Sequence, residues 1–360
     1  MENKLIWVAK AANKLRGSRM NHPSPTLQRN RGRVSAALLS VFATVSLFSG
    51  AVHSQSQGEW QALPDMPVGK WEPGTVVLDE KLYVFGGYTF GVVSSKRSEI
   101  FDPQDGSWSL IQELPSAITH MNTVLDGRTV WFAGGFKDGY RGHAIAEVWS
   151  YDVDQDRYTA APLLPEARAG GGLAIVDRKM HYFGGLMNDR DTDSSDHWVL
   201  DLDEWAAGSA VWNSAAAMPV PRNQFSTVVL NGKIYAIGGQ FHHDSMQLDQ
   251  PRTDIYDPQN DSWSEGPDLP KGHSHAEGAT FVHNKQIYML GGHTTPTGGT
   301  KSLDSDILRL EESGQWQKIG ELPAPVSSAA AAIIGDQMFV AGGAHPGSSV
   351  IGEMWVRPAP

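Results

Sequence analysis

Short apolar stretches separated by glycine-rich turns recur along the chain from about residue 58 to its C-terminus. A clear example is the stretch 74–78 (GTVVL), and turn pairs such as Asp126-Gly127 and Asn231-Gly232 follow stretches of this kind. Such pairs between apolar stretches are typical of β-hairpins. Because no long amphipathic helical pattern competes after residue 55, the pattern predicts an all-β fold.

A pair of glycines ends one apolar stretch in every fifty residues or so. The pairs are Gly86-Gly87, Gly134-Gly135, Gly184-Gly185, Gly238-Gly239, Gly291-Gly292 and Gly342-Gly343. An aromatic residue stands three positions before five of them, namely Tyr83, Trp131, Tyr235, Tyr288 and Phe339, and His181 takes that place in the third repeat. Self-similarity at such a period is the signature of a repeat architecture.

A second signal has its own constant spacing. An aromatic residue is followed seven positions later by proline in Trp60/Pro67, Trp108/Pro115, Tyr158/Pro165, Trp212/Pro219, Trp263/Pro270 and Trp316/Pro323. Between the two signals lies an acid-containing strand, as in 100–103 and 255–258. Each period therefore predicts four short strands, which is the content of one propeller blade.

The phase of the repeat predicts how the ring closes. The first unit begins with a fourth strand, 60–67, and the last unit ends after a third strand, 353–356. We therefore expect the N-terminal strand to complete the last blade, since closure removes the exposed edges of an open array.

These motifs resemble the kelch repeat over essentially all of residues 58–360. The resemblance implies a six-bladed β-propeller with four antiparallel strands per blade, in which the glycine pairs pack near the channel and the Tyr and Trp residues pack between blades. It also implies that the loops after the second and fourth strands open on one face. It implies no single function, because kelch propellers serve unrelated roles.

Residues 1–54 differ from the rest in charge and hydropathy. They hold eight Lys or Arg and one acid, Glu2, and basic residues precede the apolar run 35–52. This layout predicts a secretory signal peptide and hence a periplasmic or secreted protein. An uncleaved anchor is the alternative, and Met20 is a second possible start. The expected mature domain is the propeller, 55–360.

Composition excludes several classes of function. Residues 55–360 carry 21 Lys and Arg against 39 Asp and Glu, which argues against nucleic acid and anionic membranes as partners. The chain has no Cys, so thiolate ligands and the Cys-linked tyrosine of kelch-type copper oxidases are excluded. Histidines without matching carboxylates are a weak metal signal, and we predict neither a metal nor another cofactor.

Equivalent positions after each proline line the expected channel mouth. Three residues after the proline stand Lys70, Arg168, Arg222 and His273, and five residues after it stand Glu72, His120, Gln224 and His275. Trp71 and Asn223 lie between these two positions, and Asn122 and Glu277 follow two residues further on. We expect a polar mouth with His120 opposite His275, Glu72 beside His120, and Glu277 on the strand of His275.

Loops after the glycine pairs add further candidates. We predict ligand-binding roles for Tyr88, Phe136, Gln240 and His293. Tyr140, Arg141, Arg190 and His243 lie in loops of the same kind. Aromatic faces among polar groups suit a sugar or a peptide.

Three functions remain open. The leading prediction is an exported propeller that binds a carbohydrate or a protein partner at the channel face. The second follows from a similarity of architecture to the N-acetylneuraminate epimerases, exported kelch propellers that are sugar mutarotases. It assigns acid–base catalysis to Glu72, His120, His275 and Glu277, and carboxylate binding to Arg168 and Arg222. The third is a protein-interaction scaffold.

Overall fold

The computed structural model describes residues 59–347 and 350–360. The predicted leader, 1–54, lies outside the described residues. The described part is built of β-strands, with one short helix, Leu202–Ala206, and one 3₁₀ turn, Glu277–Ala279. In these two ranges no helix is long and apolar enough to cross a membrane.

Six antiparallel four-stranded sheets, numbered here one to six, make up the described ranges. Sheet one contains Gly74–Leu78, Lys81–Phe85, Ser98–Asp102 and Ser107–Ile111. Sheet two contains Asn122–Asp126, Thr129–Ala133, Val148–Asp152 and Arg157–Ala160. Sheet three contains Gly172–Val176, Lys179–Phe183, His197–Asp201 and Asn213–Ser214. The predicted four-stranded antiparallel sheets are confirmed.

The second half of the chain repeats this plan. Sheet four contains Ser226–Leu230, Lys233–Ile237, Thr253–Asp257 and Ser262–Glu265. Sheet five contains Thr280–His283, Gln286–Leu290, Asp306–Leu310 and Trp316–Glu321. Sheet six contains Ala330–Ile334, Gln337–Ala341, Met354–Pro358 and the N-terminal strand Gln61–Leu63. Gln61 pairs with Val356 and Leu63 with Met354, so the first strand is the outer strand of the last sheet.

Short two-residue strands form small ladders in the loops. They are Tyr88–Thr89 with Val93–Ser94, Phe136–Lys137 with Ile118–Thr119 and His143–Ala144, Gln240–Phe241 with Leu248–Asp249, and His293–Thr294 with Ser302–Leu303. The strands that begin at Tyr88, Phe136, Gln240 and His293 directly follow a glycine pair, and the ladders hold loop residues on which the site is built.

The first strands of neighbouring sheets contact one another in chain order, and the first strand of sheet six contacts that of sheet one. Just before these strands, the residue five positions after each proline has a left-handed backbone, with φ between 49° and 61°. Backbone N–H groups link five neighbouring pairs of these residues, including Glu72 to the Ser328 carbonyl at 3.2 Å. Their side chains are thereby presented in one ring.

Tryptophans at the outer strands join five of the six sheets to the preceding one, and sheet two has Tyr158 at that position instead. The indole N–H of Trp212 donates to the Pro162 carbonyl at 2.9 Å, and that of Trp263 donates to the Ala216 carbonyl at 2.8 Å. Trp60 of sheet six donates in the same way to Glu321 of sheet five at 2.7 Å. The repeated aromatics therefore form the contacts between sheets, as the kelch resemblance implies.

The first glycine of each pair lies against the loop of the next repeat. At Gly134, whose φ is 66°, a Cβ atom would stand 2.5 Å from the Arg168 carbonyl oxygen. The following amide, Gly135, donates to that same carbonyl at 2.8 Å. A side chain would break this contact, which explains why glycine recurs here.

Candidate functional site

A cavity of about 610 Å³ opens where the loops of several sheets meet. We call it the mouth cavity. Its lining residues are Trp71, Glu72, Tyr88, His120, Tyr140, Arg141, Arg190, His243, Asp244, Ser245, Gln247, His275, Thr295 and Lys301. Of the residues predicted for the site, Trp71, Glu72, Tyr88, His120 and His275 line it.

A carboxylate between two histidines forms the floor of the cavity. Glu72 Oε2 lies 2.7 Å from His120 Nδ1, and Glu72 Oε1 lies 3.9 Å from His275 Nε2. The side chains of Glu72 and His120 are 5% and 3% exposed. Burial opposes ionisation of Glu72, but the neighbouring His120 holds the pKa of its carboxyl below the ordinary value. Glu72 is therefore a buried carboxylate at neutral pH.

His243 extends this group towards solvent. Its Nε2 atom lies 3.1 Å from His120 Nε2, and its Nδ1 atom lies 2.7 Å from Asp244 Oδ1. Burial and the neighbouring His120 lower the pKa of His243 to about 4. Asp244 in turn accepts from Arg190 Nε at 2.9 Å, and the Arg190 guanidinium lies over the Phe136 ring at 3.9 Å.

The second floor histidine, His275, is held by a buried hydrogen-bond chain. Ser274 Oγ lies 2.7 Å from both Asp249 Oδ1 and His275 Nδ1. Because the Ser274 hydroxyl donates its one hydrogen to Asp249, it accepts from His275 Nδ1–H. His275 Nε2 then carries the lone pair, and Gln224 Nε2 donates to it at 3.3 Å. Burial lowers the pKa of His275, so this ring is a neutral acceptor.

A second carboxyl lies in the narrow channel beneath the floor. Glu277 lines it together with Glu72, His120, Asn122 and Gln224. Burial raises the pKa of Glu277 to about 8, and the nearby Glu72 contributes. Within the described ranges, Glu277 Oε1 has no hydrogen-bond partner from another residue. The channel thus holds one ionised and one neutral carboxyl side by side.

The expected strand position of Glu277 is wrong. Its counterparts in the other sheets, Gly74, Asn122, Gly172, Ser226 and Ala330, each begin the first strand. In sheet five the 3₁₀ turn Glu277–Ala279 precedes a strand that begins only at Thr280. The Thr280 hydroxyl donates to the Ala276 carbonyl at 2.8 Å and stabilises this turn.

The rim of the cavity is aromatic and cationic. The Trp71 and Tyr88 rings lie 5.5 Å apart, and Tyr140 is 62% exposed at the entrance. Arg141 and Lys301 have no ion-pair partner in the part of the chain that the structure describes. The buried indole nitrogen of Trp71 also lacks a partner there. These groups leave donors and positive charge available to a ligand.

Three predicted ligand-binding cations bind the protein itself. Arg222 is fully buried and donates to Asp254 at 2.7 Å and to the carbonyls of Gly238 and Ala236 at 2.7 and 3.0 Å. Arg168 pairs with Asp196 at 2.5 Å. Lys70 donates to the Val84 and Arg97 carbonyls, and burial lowers its pKa to about 8. Each of these cations binds polar groups of the propeller itself. None of the three lines the mouth cavity.

His273 follows the same pattern, with Nε2 3.5 Å from Asp304 Oδ2. The remaining predicted residues lie in the layer behind the cavity. Asn223 and Gln240 hydrogen-bond to each other at 3.0 Å, and Phe136 packs against the His120 ring at 4.9 Å. His293 donates from Nδ1 to Asp249 at 3.2 Å and lies against the His275 ring at 3.9 Å. These residues hold the lining side chains in place.

Several residues of the site were not predicted from the sequence. Asp244 directly follows His243 in its loop, so adjacency to a candidate histidine was an available signal. Lys301 lies nine positions beyond Gly291-Gly292 at no repeated spacing, and Asp249 is remote in sequence from His275. Among the described residues no group of three or more His, Asp or Glu side chains could hold a metal ion.

The fold and the repeats define a β-propeller of kelch type. The KLHDC2/KLHL20/DRC7 Kelch-repeats domain matches residues 160–343, and the Kelch motif matches residues 72–115. The chain belongs to the kelch-repeat family.

Similar proteins come from plants, animals and viruses. A kelch repeat-containing protein of Arabidopsis thaliana is 26% identical over 82% of this chain and 75% of its own length. Human Kelch domain-containing protein 3 is 24% identical over 75% of this chain and 76% of its own length. Human Kelch-like protein 34 is 26% identical over 71% of this chain and 40% of its own length. The solved structure of YjhT superposes with a TM-score of 0.68 at 15% identity, covering 81% of this chain and 95% of that chain. This last likeness concerns the fold alone.

Proposed function

We propose that the protein is exported and that its mouth cavity binds a carbohydrate without a cofactor. The observation that carries this proposal is the combination of aromatic faces with convergent polar groups in one cavity of about 610 Å³. Pockets for small ligands in proteins span roughly 300–1,000 Å³ and combine apolar walls with a few placed polar groups. The half-buried Trp71 ring and the exposed Tyr140 ring supply apolar faces on which a sugar ring stacks.

The charges of the rim favour an acidic sugar. Lys301 and Arg141 stand at the entrance without an ion-pair partner in the described ranges. A ligand carboxylate placed between them gains charge-assisted hydrogen bonds that a neutral sugar lacks. These two residues take the role that the sequence assigned to Arg168 and Arg222.

A thermal-shift comparison tests this proposal. We expect an acidic sugar such as sialic acid to raise the melting temperature, and to stabilise by about 2.7 kcal/mol at a hundredfold excess over Kd. Lys301→Ala should weaken that stabilisation and leave the response to the neutral N-acetylmannosamine unchanged. Lys233→Ala is the matched control, because Lys233 pairs with Asp257 at 3.2 Å on sheet four and does not line the cavity.

Absence of stabilisation by any sugar would refute carbohydrate binding. A protein that co-purifies equally with the wild type and with Lys301→Ala would favour the interaction scaffold instead.

One specific observation favours a second function, the mutarotation of an acidic sugar. Ring opening requires a base to take the anomeric hydroxyl proton while an acid protonates the ring oxygen, as the bond between that oxygen and the anomeric carbon breaks. Glu72 is ionised in the mouth cavity, and Glu277 is neutral in the channel beneath it because burial raises its pKa to about 8, so the acid role requires the ring oxygen to reach that channel. Two carboxyls whose pKa values are pushed apart are suited to these two roles.

NMR of freshly dissolved sialic acid tests this second function. We expect the protein to speed anomer exchange, and Glu72→Gln and Glu277→Gln each to slow the catalysed exchange by about 10²–10⁴-fold. Glu80→Gln is the control, because Glu80 is exposed in the turn between the first two strands of sheet one. If the wild-type protein accelerates no exchange while ligands still raise its melting temperature, binding stands and mutarotation is wrong.

A further inference from the structure

A second cavity, of about 530 Å³, lies beside the mouth cavity among the loops of sheets one, five and six. We call it the side pocket. Trp71 and Lys301 line both cavities, so the two meet at these side chains and one ligand can reach into both. The other apolar residues that line the side pocket are Val92, Leu303, Ala344, Pro346 and Val350.

The side pocket offers a ligand few hydrogen bonds. Its polar side chains, among the residues that the structure describes, are Lys301, Ser302, Ser327 and His345. The protein already engages both ring nitrogens of His345, with the Pro325 carbonyl 2.9 Å from Nδ1 and a Glu353 carboxylate oxygen 3.3 Å from Nε2. The Ser327 hydroxyl is buried and lies 3.4 Å from that of Ser328.

The apolar walls of the side pocket are accessible to a ligand. Val92, Leu303 and Val350 are each only half-buried, although all three are aliphatic. An apolar group that enters the pocket buries this surface, whereas a second sugar would lose water from hydroxyls that find few partners there. The side pocket therefore favours an apolar group.

The backbone at Val92 supports a binding role for its side chain. Val92 has a left-handed backbone, with φ at 57°, and its amide donates to the Thr89 carbonyl at 3.0 Å in a tight turn. A β-branched residue is rare at such an angle, and strained residues of this kind cluster at ligand-binding sites. Glycine would form the same turn without strain, so the turn alone does not explain valine.

The proposed position of the ligand carboxylate determines what can enter the side pocket. In the 2-keto sugar acids, the class that includes sialic acid, the carboxyl group and the glycosidic oxygen are bonded to the same carbon. A carboxylate paired with Lys301 therefore brings any glycosidic substituent close to Lys301, which also lines the side pocket. In uronic acids the two groups are on different ring carbons, so the substituent would begin farther from Lys301.

We infer that the ligand is a glycoside of a 2-keto sugar acid, with its sugar ring in the mouth cavity and an apolar substituent in the side pocket. This rests on the proposed carbohydrate binding and deepens it by naming the class of ligand. It concerns binding and not mutarotation, because such a glycoside, a ketoside, has no free anomeric hydroxyl.

Titration calorimetry with ketosides of sialic acid tests the role of the side pocket. We expect the phenyl ketoside to bind about thirtyfold more tightly than the methyl ketoside, since burying an aromatic ring is worth a factor of this order. A ketoside that carries galactose should gain much less over the methyl ketoside. Equal affinities of the phenyl and methyl ketosides, or tightest binding of the galactosyl ketoside, would overturn the inference.

Two variants show where the phenyl group lies. Val92→Gly removes one wall at a backbone angle that glycine adopts freely, and Leu303→Ala shortens another. Each should weaken binding of the phenyl ketoside by about fivefold. Binding of the methyl ketoside should not change, because neither residue lines the mouth cavity. A preference for phenyl that survives both substitutions would place the substituent elsewhere and contradict the inference.

Leu248→Ala is the matched control for these variants. Leu248 lies in the equivalent short strand of the sheet-four loop, is half-buried like Leu303, and lines neither cavity. We expect it to bind both ketosides as the wild type does.

The calorimetry also separates failure of the side pocket from failure of the proposed function. If sialic acid and its methyl ketoside bind but the phenyl group adds nothing, the mouth cavity stands and the side pocket is not part of the site. If neither sialic acid nor any of its ketosides binds, the proposed carbohydrate site is wrong, and its extension into the side pocket is wrong with it.

Discussion

Replacing Arg222 with alanine should cost about 3 kcal/mol of unfolding free energy, measured by urea denaturation. Arg222 and Asp254 are both completely buried, and their side chains lie 2.7 Å apart. Removing one member of a buried ion pair leaves an uncompensated charge, for which losses of about 3–5 kcal/mol are typical. We expect the lower end of that range, because Arg252 also pairs with Asp254 at 2.7 Å and remains in place.

Two further variants separate this explanation from a general effect of losing an arginine. Arg178→Ala removes the pairs with Asp126 and Asp203, but Arg178 is 47% exposed, so we expect a loss below about 1 kcal/mol. Converting both Arg222 to Met and Asp254 to Leu removes the stranded charge and should recover part of the stability. If Arg222→Ala were as harmless as Arg178→Ala, the arginine would be free to bind a ligand, as its position in the repeat suggested.

Acid should destabilise the protein through a pair of histidines on sheet three that pack against Tyr256 of sheet four. His181 Nδ1 lies 3.0 Å from His197 Nε2, and burial lowers the pKa of His181 to about 3 and that of His197 to about 4. The unfolded chain binds protons with a pKa near 6.5. Because the folded pKa values are lower, stability is complete above pH 6.5 and falls as the pH drops towards them. From pH 6.5 to about 4.5 the pair should cost roughly 5 kcal/mol.

Substitution of His181 measures how much this histidine contributes to the loss of stability in acid. The other repeats carry Tyr83, Trp131, Tyr235, Tyr288 and Phe339 at the same position, so an aromatic ring fits the site. His181→Phe should reduce the stability difference between pH 6.5 and 4.5 by about 2.5 kcal/mol, measured by urea denaturation at both values. His143→Phe is the control, because the His143 side chain is 54% exposed and lies outside the pair. An unchanged difference in His181→Phe would mean that the pair is not buried as described.

The strands were predictable because their signals are local. Each glycine pair, each Trp-to-Pro interval and each turn dipeptide encodes a backbone conformation within a few residues. Where the local signal changes, the structure changes with it. His181 replaces the usual aromatic and pairs with His197, and Glu277 stands in a 3₁₀ turn instead of a strand.

The candidate site was predictable only in part. Glu72, His120 and His275 were identified because they occupy one repeated position, where a left-handed backbone presents them in a ring. Lys70, Arg168 and Arg222 also occupy a repeated position, but they bind groups of the protein itself. A repeat position shows where a side chain starts, but it does not show whether carbonyls and carboxylates of the same sheet bind it first.

The chain by itself determined the repeat, the strand order within each sheet and the ring of residues that follows each proline. Only the tertiary structure decided which polar groups remain available at the mouth cavity. Ser274 hydrogen-bonds to both Asp249 and His275, and His243 hydrogen-bonds to both His120 and Asp244. The separations in sequence between Asp249 and His275 and between His120 and His243 follow no period of the repeat. Hydrogen bonding and ion pairing depend on distances within about 4 Å, and in loops of unequal length those distances are set by packing rather than by spacing along the chain.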